Sequence, residues 1–317
     1  MSMIRLCFAL CLITLLFAPA WAGSSAQGGE REPIVVGSKI DTEGALLGRM
    51  LVAVLRAHDL EVVDKTEFGT TPIVRKAIKA GELDIYPEYT GNGAFFFDSV
   101  ESDVWRDGDR AYKTVREIDA EQNDLLWLKP APANNTWAIA VRRELAREHG
   151  LETLEDFAEF ANSGGRIKLA CCEEFVNRED VLPAFQEAYG FSLEGDQLLV
   201  FSGCNTAQTE QAAARGTSGV NFAMAFGTDG SLAALDLRVL QDTKGIQPVY
   251  QPAPLLRREV KQAYPELPSI LRPVFQSLDQ TTLQELNSRI AVQGRPAEKV
   301  AKQYLRNQGV LDGEGAP

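Results

Sequence analysis

The chain has 317 residues, 44 of them acidic against 32 basic, with a formal charge of -12. That balance argues against nucleic acid and anionic membrane surfaces as partners. The two histidines, His58 and His149, lie far from the cysteines of the chain body and sit in or just after charged helical stretches. A metal site is therefore not expected.

Residues 1–22 have the layout of a secretory signal. Arg5 is the charged lead, Leu6 to Phe17 the apolar run, and Ala20-Trp21-Ala22 a small-x-small cleavage site. The run is too short for a membrane span, and no cysteine follows the cut to carry a lipid. An exported protein in the periplasm is expected, with a charge of -13 once Arg5 is lost. Residues 23–32 read as a disordered lead-in. About 295 residues remain, which points to two lobes. Cys7 and Cys11 leave with the signal. Cys171, Cys172 and Cys204 meet an oxidising compartment, where one of the adjacent pair can bridge to Cys204 and leave an odd thiol.

Along the chain, Pro33 to Ser38 reads as a buried parallel strand. Leu47, Met50, Leu51, Val54 and Leu55 then keep helical spacing. Leu60 to Val63 is the next strand, and Thr70 or Thr71 caps a helix from Pro72 to Ala80 that Gly81 ends. The segment Asp84-Ile85-Tyr86-Pro87-Glu88-Tyr89-Thr90-Gly91 closes a short strand with aromatic rings. The carboxyl end of a strand is where open α/β sheets bind ligands. Ring faces there suit a cation without N–H groups, such as a quaternary ammonium.

A second series has strands Trp137 to Val141, Ile167 to Ala170, Leu198 to Phe201, Gly219 to Met224 and Leu237 to Leu240. Helices are expected at Arg142 to Glu148, Leu154 to Ala161, Glu179 to Tyr189 and Thr206 to Arg215. A Pro-rich stretch, Gln247 to Pro254, precedes amphipathic helices that end at Pro296 to Gly309. Crossings at Ala131-Pro132-Ala133-Asn134 and Ala225-Phe226-Gly227 divide the chain. Lobe 1 is expected from 33–131 plus 229–317 and an inserted lobe 2 from 132–228, with the ligand cleft between them.

Taken together these residues resemble the osmoprotectant-binding proteins of ABC importers, those for glycine betaine, choline and carnitine. The resemblance spans residues 33 to 311. It rests on Val36-Gly37-Ser38-Lys39 with Thr42-Glu43, the run Gly81 to Gly91, Asn134-Asn135-Thr136-Trp137-Ala138, and Glu174-Phe175 with Arg178. Thr228-Asp229-Gly230, Leu240 with Asp242, Pro248 with Tyr250, and Pro254 with Arg257 complete it. The tyrosine-proline-glutamate-tyrosine-threonine-glycine run is its most specific part. The resemblance implies a two-lobed, type II-like periplasmic binding protein of the α/β class. Such a protein is not an enzyme and holds no cofactor. It is expected as a monomer that captures a quaternary-ammonium ligand and delivers it to ABC permease subunits.

It also implies a site. Tyr89 corresponds to a cage tyrosine, while Trp137 and Phe226 stand where the family usually has tyrosines. Tyr250 completes the cage, Arg178 contacts the ligand carboxylate, and Asn135 is the polar wall. Asn92 and Gly44 depart from the threonine and glutamine usual in tight binders, and Asn92 is a further candidate contact. Fewer polar contacts imply weak binding, as in the stress-induced importers of enteric bacteria, or a different cation or zwitterion. Each role has a plainer rival: strand core for Phe226, loop packing for Tyr250, an ion pair with Glu174 or Glu179 for Arg178. The ligand is expected to supply the contacts that hold the lobes closed. A sensory subunit is compatible with the same residues. An exported enzyme has no nucleophile elbow to support it.

Overall fold

The computed structural model describes residues 31–311. The expected signal, and the lead-in up to residue 30, lie outside the described residues. Two five-stranded sheets, each with its own helices, organise the chain. The first contains β1 (Ile34–Lys39), β2 (Val62–Gly69), β3 (Ile85–Tyr89), β4 (Leu125–Trp127) and β10 (Pro252–Arg257), in the order β2-β1-β3-β10-β4. The second contains β5 (Trp137–Arg142), β6 (Leu169–Cys172), β7 (Leu198–Phe201), β8 (Phe222–Phe226) and β9 (Leu237–Val239), in the order β7-β6-β8-β5-β9. Each sheet has three parallel strands, then one that runs the other way (β10 or β5), then an edge strand (β4 or β9) antiparallel to that one and so aligned with the first three. β1 is parallel to β2 and β3, with β10 antiparallel to β3; β6 is parallel to β7 and β8, with β5 antiparallel to β8.

Local sequence explains the strands. β1 is a central strand and is almost wholly buried, whereas β2 lies at the edge and alternates half-buried with exposed residues. Its Asp64, Lys65 and Glu67 discourage pairing with another chain. β3 runs through Pro87, because β1 pairs with β3 only at Val36 and Ile85 and owes Pro87 no hydrogen bond. Pro254 of β10 sits opposite Pro87. The Pro-rich stretch, to which the sequence reading assigned no element, therefore becomes an interior strand from Pro252 onward.

The helix Thr42–Ala57 buries twelve of its sixteen residues, between the first sheet and the helices Gln280–Ala291 and Ala297–Asn307. Asp41 caps it, accepting from the Gly44 N–H at 2.8 Å. The helix Thr71–Lys79 ends before Gly81, whose φ of 76° suits glycine. Buried Asp119 anchors that helix. It accepts both Arg75 guanidinium nitrogens and the Trp127 indole at 2.6 Å.

The chain passes from the first sheet to the second between β4 and β5 and returns between β9 and β10, through the segment 240–251 and not at Ala225-Phe226-Gly227. β9 pairs antiparallel with β5 (Ala140 opposite Val239), so the second sheet extends past the boundary expected at residue 228. The expected helix Glu179–Tyr189 begins three residues later, as Leu182–Tyr189, and a separate short helix, Glu173–Asn177, precedes it. Pro183 opens the second of them.

Candidate functional site

The cleft lies where strands of both sheets end or begin. It opens to solvent through its mouth and holds an interior space of about 40 Å³. Six of the seven expected residues line it: Tyr89, Asn92, Asn135, Trp137, Phe226 and Tyr250. Tyr86, three residues before Tyr89 in β3, faces the other way and is fully buried.

The rings are placed by strand register. Trp137 opens β5 and Phe226 closes β8, and the antiparallel pairing sets them directly opposite each other. Their centroids are 4.6 Å apart at 51°. Phe175 meets the Trp137 ring edge-on at 5.8 Å. Tyr250 is pinned by its backbone. Its N–H donates to Asn134 Oδ1 at 2.8 Å, and its carbonyl accepts from the Asn135 N–H at 2.9 Å. Its hydroxyl accepts from the Trp137 indole at 3.2 Å. Gly91 lies under the Tyr250 ring. A Cβ at that position would stand 2.7 Å from Tyr250 Cδ1, which explains the glycine after Tyr89-Thr90. Phe226 is thus both strand end and cleft wall, and Tyr250 lines the cleft rather than merely packing a loop.

Around the rings lie charged groups that the sequence reading did not assign to the site. Lys39, at the end of β1, pairs with buried Glu88 at 2.7 Å and holds its ammonium 4.7 Å from the Tyr89 ring centroid. Burial opposes the charge on Glu88, but Lys39 together with the hydrogen bonds from Tyr86 and Asn92 outweighs it and holds the carboxyl below its ordinary value. Asn92 donates to the same carboxylate at 2.6 Å. Asp41 and Glu174 also line the cleft. The signal that could have found Lys39, Asp41 and Glu174 is position: all three lie at or just beyond the carboxyl end of a parallel strand, β1 or β6. Asn135 Oδ1 is buried with no hydrogen-bond partner, the one such side-chain atom among the described lining residues.

Arg178 does not line the cleft. It is 5% exposed, and Asp180 closes its fork, accepting from Nε at 3.0 Å and from Nη2 at 2.6 Å. Nη1 donates to Asn92 Oδ1 at 2.8 Å, Nη2 also donates to the Tyr250 hydroxyl at 3.2 Å, and Glu174 stands 3.7 Å away. Of the two partners expected for its ion pair, Glu174 is a lesser one; the main partner is Asp180, which the sequence reading did not name.

The two lobes bond to each other directly. The Thr71 N–H, at the start of its helix, donates across the cleft to Glu174 Oε1 at 3.0 Å, while Thr70 makes no cap bond through its side chain. Thr42 donates to Asn205 at 3.3 Å, and the Arg178–Asn92 bond is a third link. The expectation that all bridging contacts come from the ligand is corrected: protein atoms supply these three. Cys172 and Cys204 form the disulfide, and Cys171 is a buried thiol that burial pushes up to about 12.

Behind Tyr89 stands Glu43. It accepts from the Tyr89 hydroxyl at 3.0 Å and from Asn287 at 2.7 Å, and burial pushes its carboxyl from 4.5 up to about 7. Between those values the folded chain holds a proton that the unfolded chain has lost. Stability therefore falls as pH rises through that window, by about 3 kcal/mol in all from Glu43. Burial likewise raises Glu210 and Asp229, adding in the same direction. Melting temperature should fall between about pH 5 and pH 8, and Glu43→Gln should flatten the profile. An identical slope in the variant would exclude Glu43 as its source.

Comparison with known proteins agrees with this geometry. Residues 32–307 match the family described as the substrate binding domain of ABC-type glycine betaine transport system. The chain is 52% identical over 296 residues to the glycine betaine-binding protein YehZ of Escherichia coli, covering 91% of this chain and 97% of that one. It is 32% identical to a glycine-betaine-binding protein of Pseudomonas aeruginosa, over 97% of this chain and 96% of that one. The solved structure of apo YehZ from Escherichia coli superposes with a TM-score of 0.65 at 54% identity, covering 88% of this chain and all of that one.

Proposed function

Because the chain belongs to the family of substrate-binding domains of ABC-type glycine betaine transport systems, we propose that it captures a quaternary-ammonium osmoprotectant, glycine betaine first among them, in the periplasm. From there it delivers the ligand to the membrane subunits of an ABC permease. The observation that carries the ligand class is the convergence of Tyr89, Trp137, Phe226 and Tyr250 on one cleft. A trimethylammonium group has no N–H to donate, so ring faces and shape must recognise it. Each face contributes about 0.5–2 kcal/mol, most where water is excluded. Asn135, with its free buried oxygen, and Asn92 form the polar part of the wall.

In this reading the rings of both lobes close on the ligand by a hinge motion through the two inter-sheet segments. The chemistry is binding alone. Calorimetric titration of residues 23–317 with betaine, choline, carnitine, proline betaine, ectoine and ergothioneine tests it. Betaine is expected to give a saturable heat and a raised melting temperature. Silence across the whole panel would sink the ligand class.

A further inference from the structure

We propose that Asp180 is a specificity-determining residue: by closing the Arg178 fork it withholds that guanidinium from the ligand and leaves the cleft selective for the cationic head. The inference rests on the quaternary-ammonium reading above and narrows it. A guanidinium has five N–H groups in a fixed fork, and its usual advantage is a side-on match to one carboxylate. Here that match is already made within the protein, by both oxygens of Asp180. The remaining edge is taken by Asn92 and the Tyr250 hydroxyl. Two rings stand by the guanidinium carbon, Phe95 with its centroid at 4.7 Å and Trp137 at 5.8 Å. Arg178 is one side chain away from the cleft, behind Asn92 and Tyr250, yet presents nothing to it.

What faces the cleft instead is Lys39, Asp41 and Glu174. The Lys39 ammonium is already neutralised by Glu88, so the lining is two carboxyls richer than its balanced pair. That field favours a positive head and rewards a ligand carboxylate little. Discrimination between a zwitterion such as betaine and a cation such as choline is therefore set one shell back. A carboxylate on the protein occupies the place a ligand carboxylate would take, which is specificity by exclusion.

The test is a comparison of two ligands on three proteins: betaine and choline against wild type, Asp180→Asn and Arg178→Met/Asp180→Leu, by calorimetry, with a melting curve for each protein. In Asp180→Asn the second fork position loses its acceptor, and the preference for betaine over choline is expected to rise at least fivefold. An unchanged ratio in a folded Asp180→Asn overturns the inference. The single variant leaves a buried guanidinium short of its counter-charge and is at risk of not folding; the double variant removes both charges and avoids that. In the double variant both ligands are expected to weaken by the same factor within twofold, because only the support of Asn92 and Tyr250 is lost. Selective loss of betaine there shows that Arg178 holds the ligand carboxylate in the wild type, and overturns the inference. Wild-type protein that binds neither ligand overturns the quaternary-ammonium reading and this one with it.

Discussion

Trp137→Ala is expected to weaken betaine binding about 30-fold or more. A desolvated ring face contributes about 2 kcal/mol to a bound cation, and each 1.4 kcal/mol is a factor of ten in affinity. Trp137 is also structural. It is 6% exposed, stacks with Phe226 at 4.6 Å, meets Phe175 edge-on and donates to Tyr250. Alanine there removes a buried ring and leaves a cavity, at about 3–5 kcal/mol of stability. Trp137→Phe separates the two effects, since it keeps a face and loses only the indole donor. Titrations of both variants at a temperature where both are folded check this. Binding of wild-type strength in Trp137→Ala would show that the cation sits elsewhere.

Removing the disulfide is expected to lower the melting temperature by about 10 °C. Cys172 and Cys204 close a loop with a sequence separation of 32. In the chain-entropy account a loop of that size is worth about 4 kcal/mol, and each kcal/mol moves the melting point of a chain this long by about 2–4 °C. The bridge also ties together the two turns that reach across the cleft. Glu174 follows Cys172 by two residues and caps the Thr71 helix, while Asn205 follows Cys204 and bonds Thr42. Cys172→Ser/Cys204→Ser should therefore weaken ligand binding severalfold as well as destabilise the fold. The buried thiol of Cys171 is held protonated at neutral pH, so it does not contest the pairing. Paired melting curves and titrations of this variant check both effects. A melting point within 2 °C of wild type would contradict the first.

Where local chemistry and tertiary demand coincide, the sequence was readable to the residue. The strand Leu198–Phe201 and the helix Thr206–Arg215 fall where composition and periodicity put them. Six cleft residues were legible through the family resemblance, and three of them, Tyr89, Trp137 and Phe226, stand at strand ends. β10 was not, because two prolines mask a strand whose ladder needs no N–H from Pro254. The expected strand from Gly219 begins three residues later, since Gly219 has a φ of 81° and makes a turn. Lys39, Asp41 and Glu174 read locally as turn and cap residues, and only the meeting of two sheets makes them cleft walls. The retreat of Arg178 was invisible for a similar reason. Its partner Asp180 is two residues away, a spacing that by itself distinguishes a fork-to-fork pair from nothing.

The Glu174 carboxylate that caps the Thr71 helix from the opposite lobe has a consequence for uptake kinetics. A capture protein whose halves can clasp by their own bonds visits the closed shape without cargo. An empty clasp can occupy a transporter that has nothing to receive. Import then depends on the ratio of capture protein to transporter as well as on the supply of solute. Overproduction of the capture protein slows the flux at low solute instead of raising it. Breaking the clasp with Glu174→Ala, which removes the acceptor, is expected to relieve that self-competition, at the cost of a more slowly closing trap.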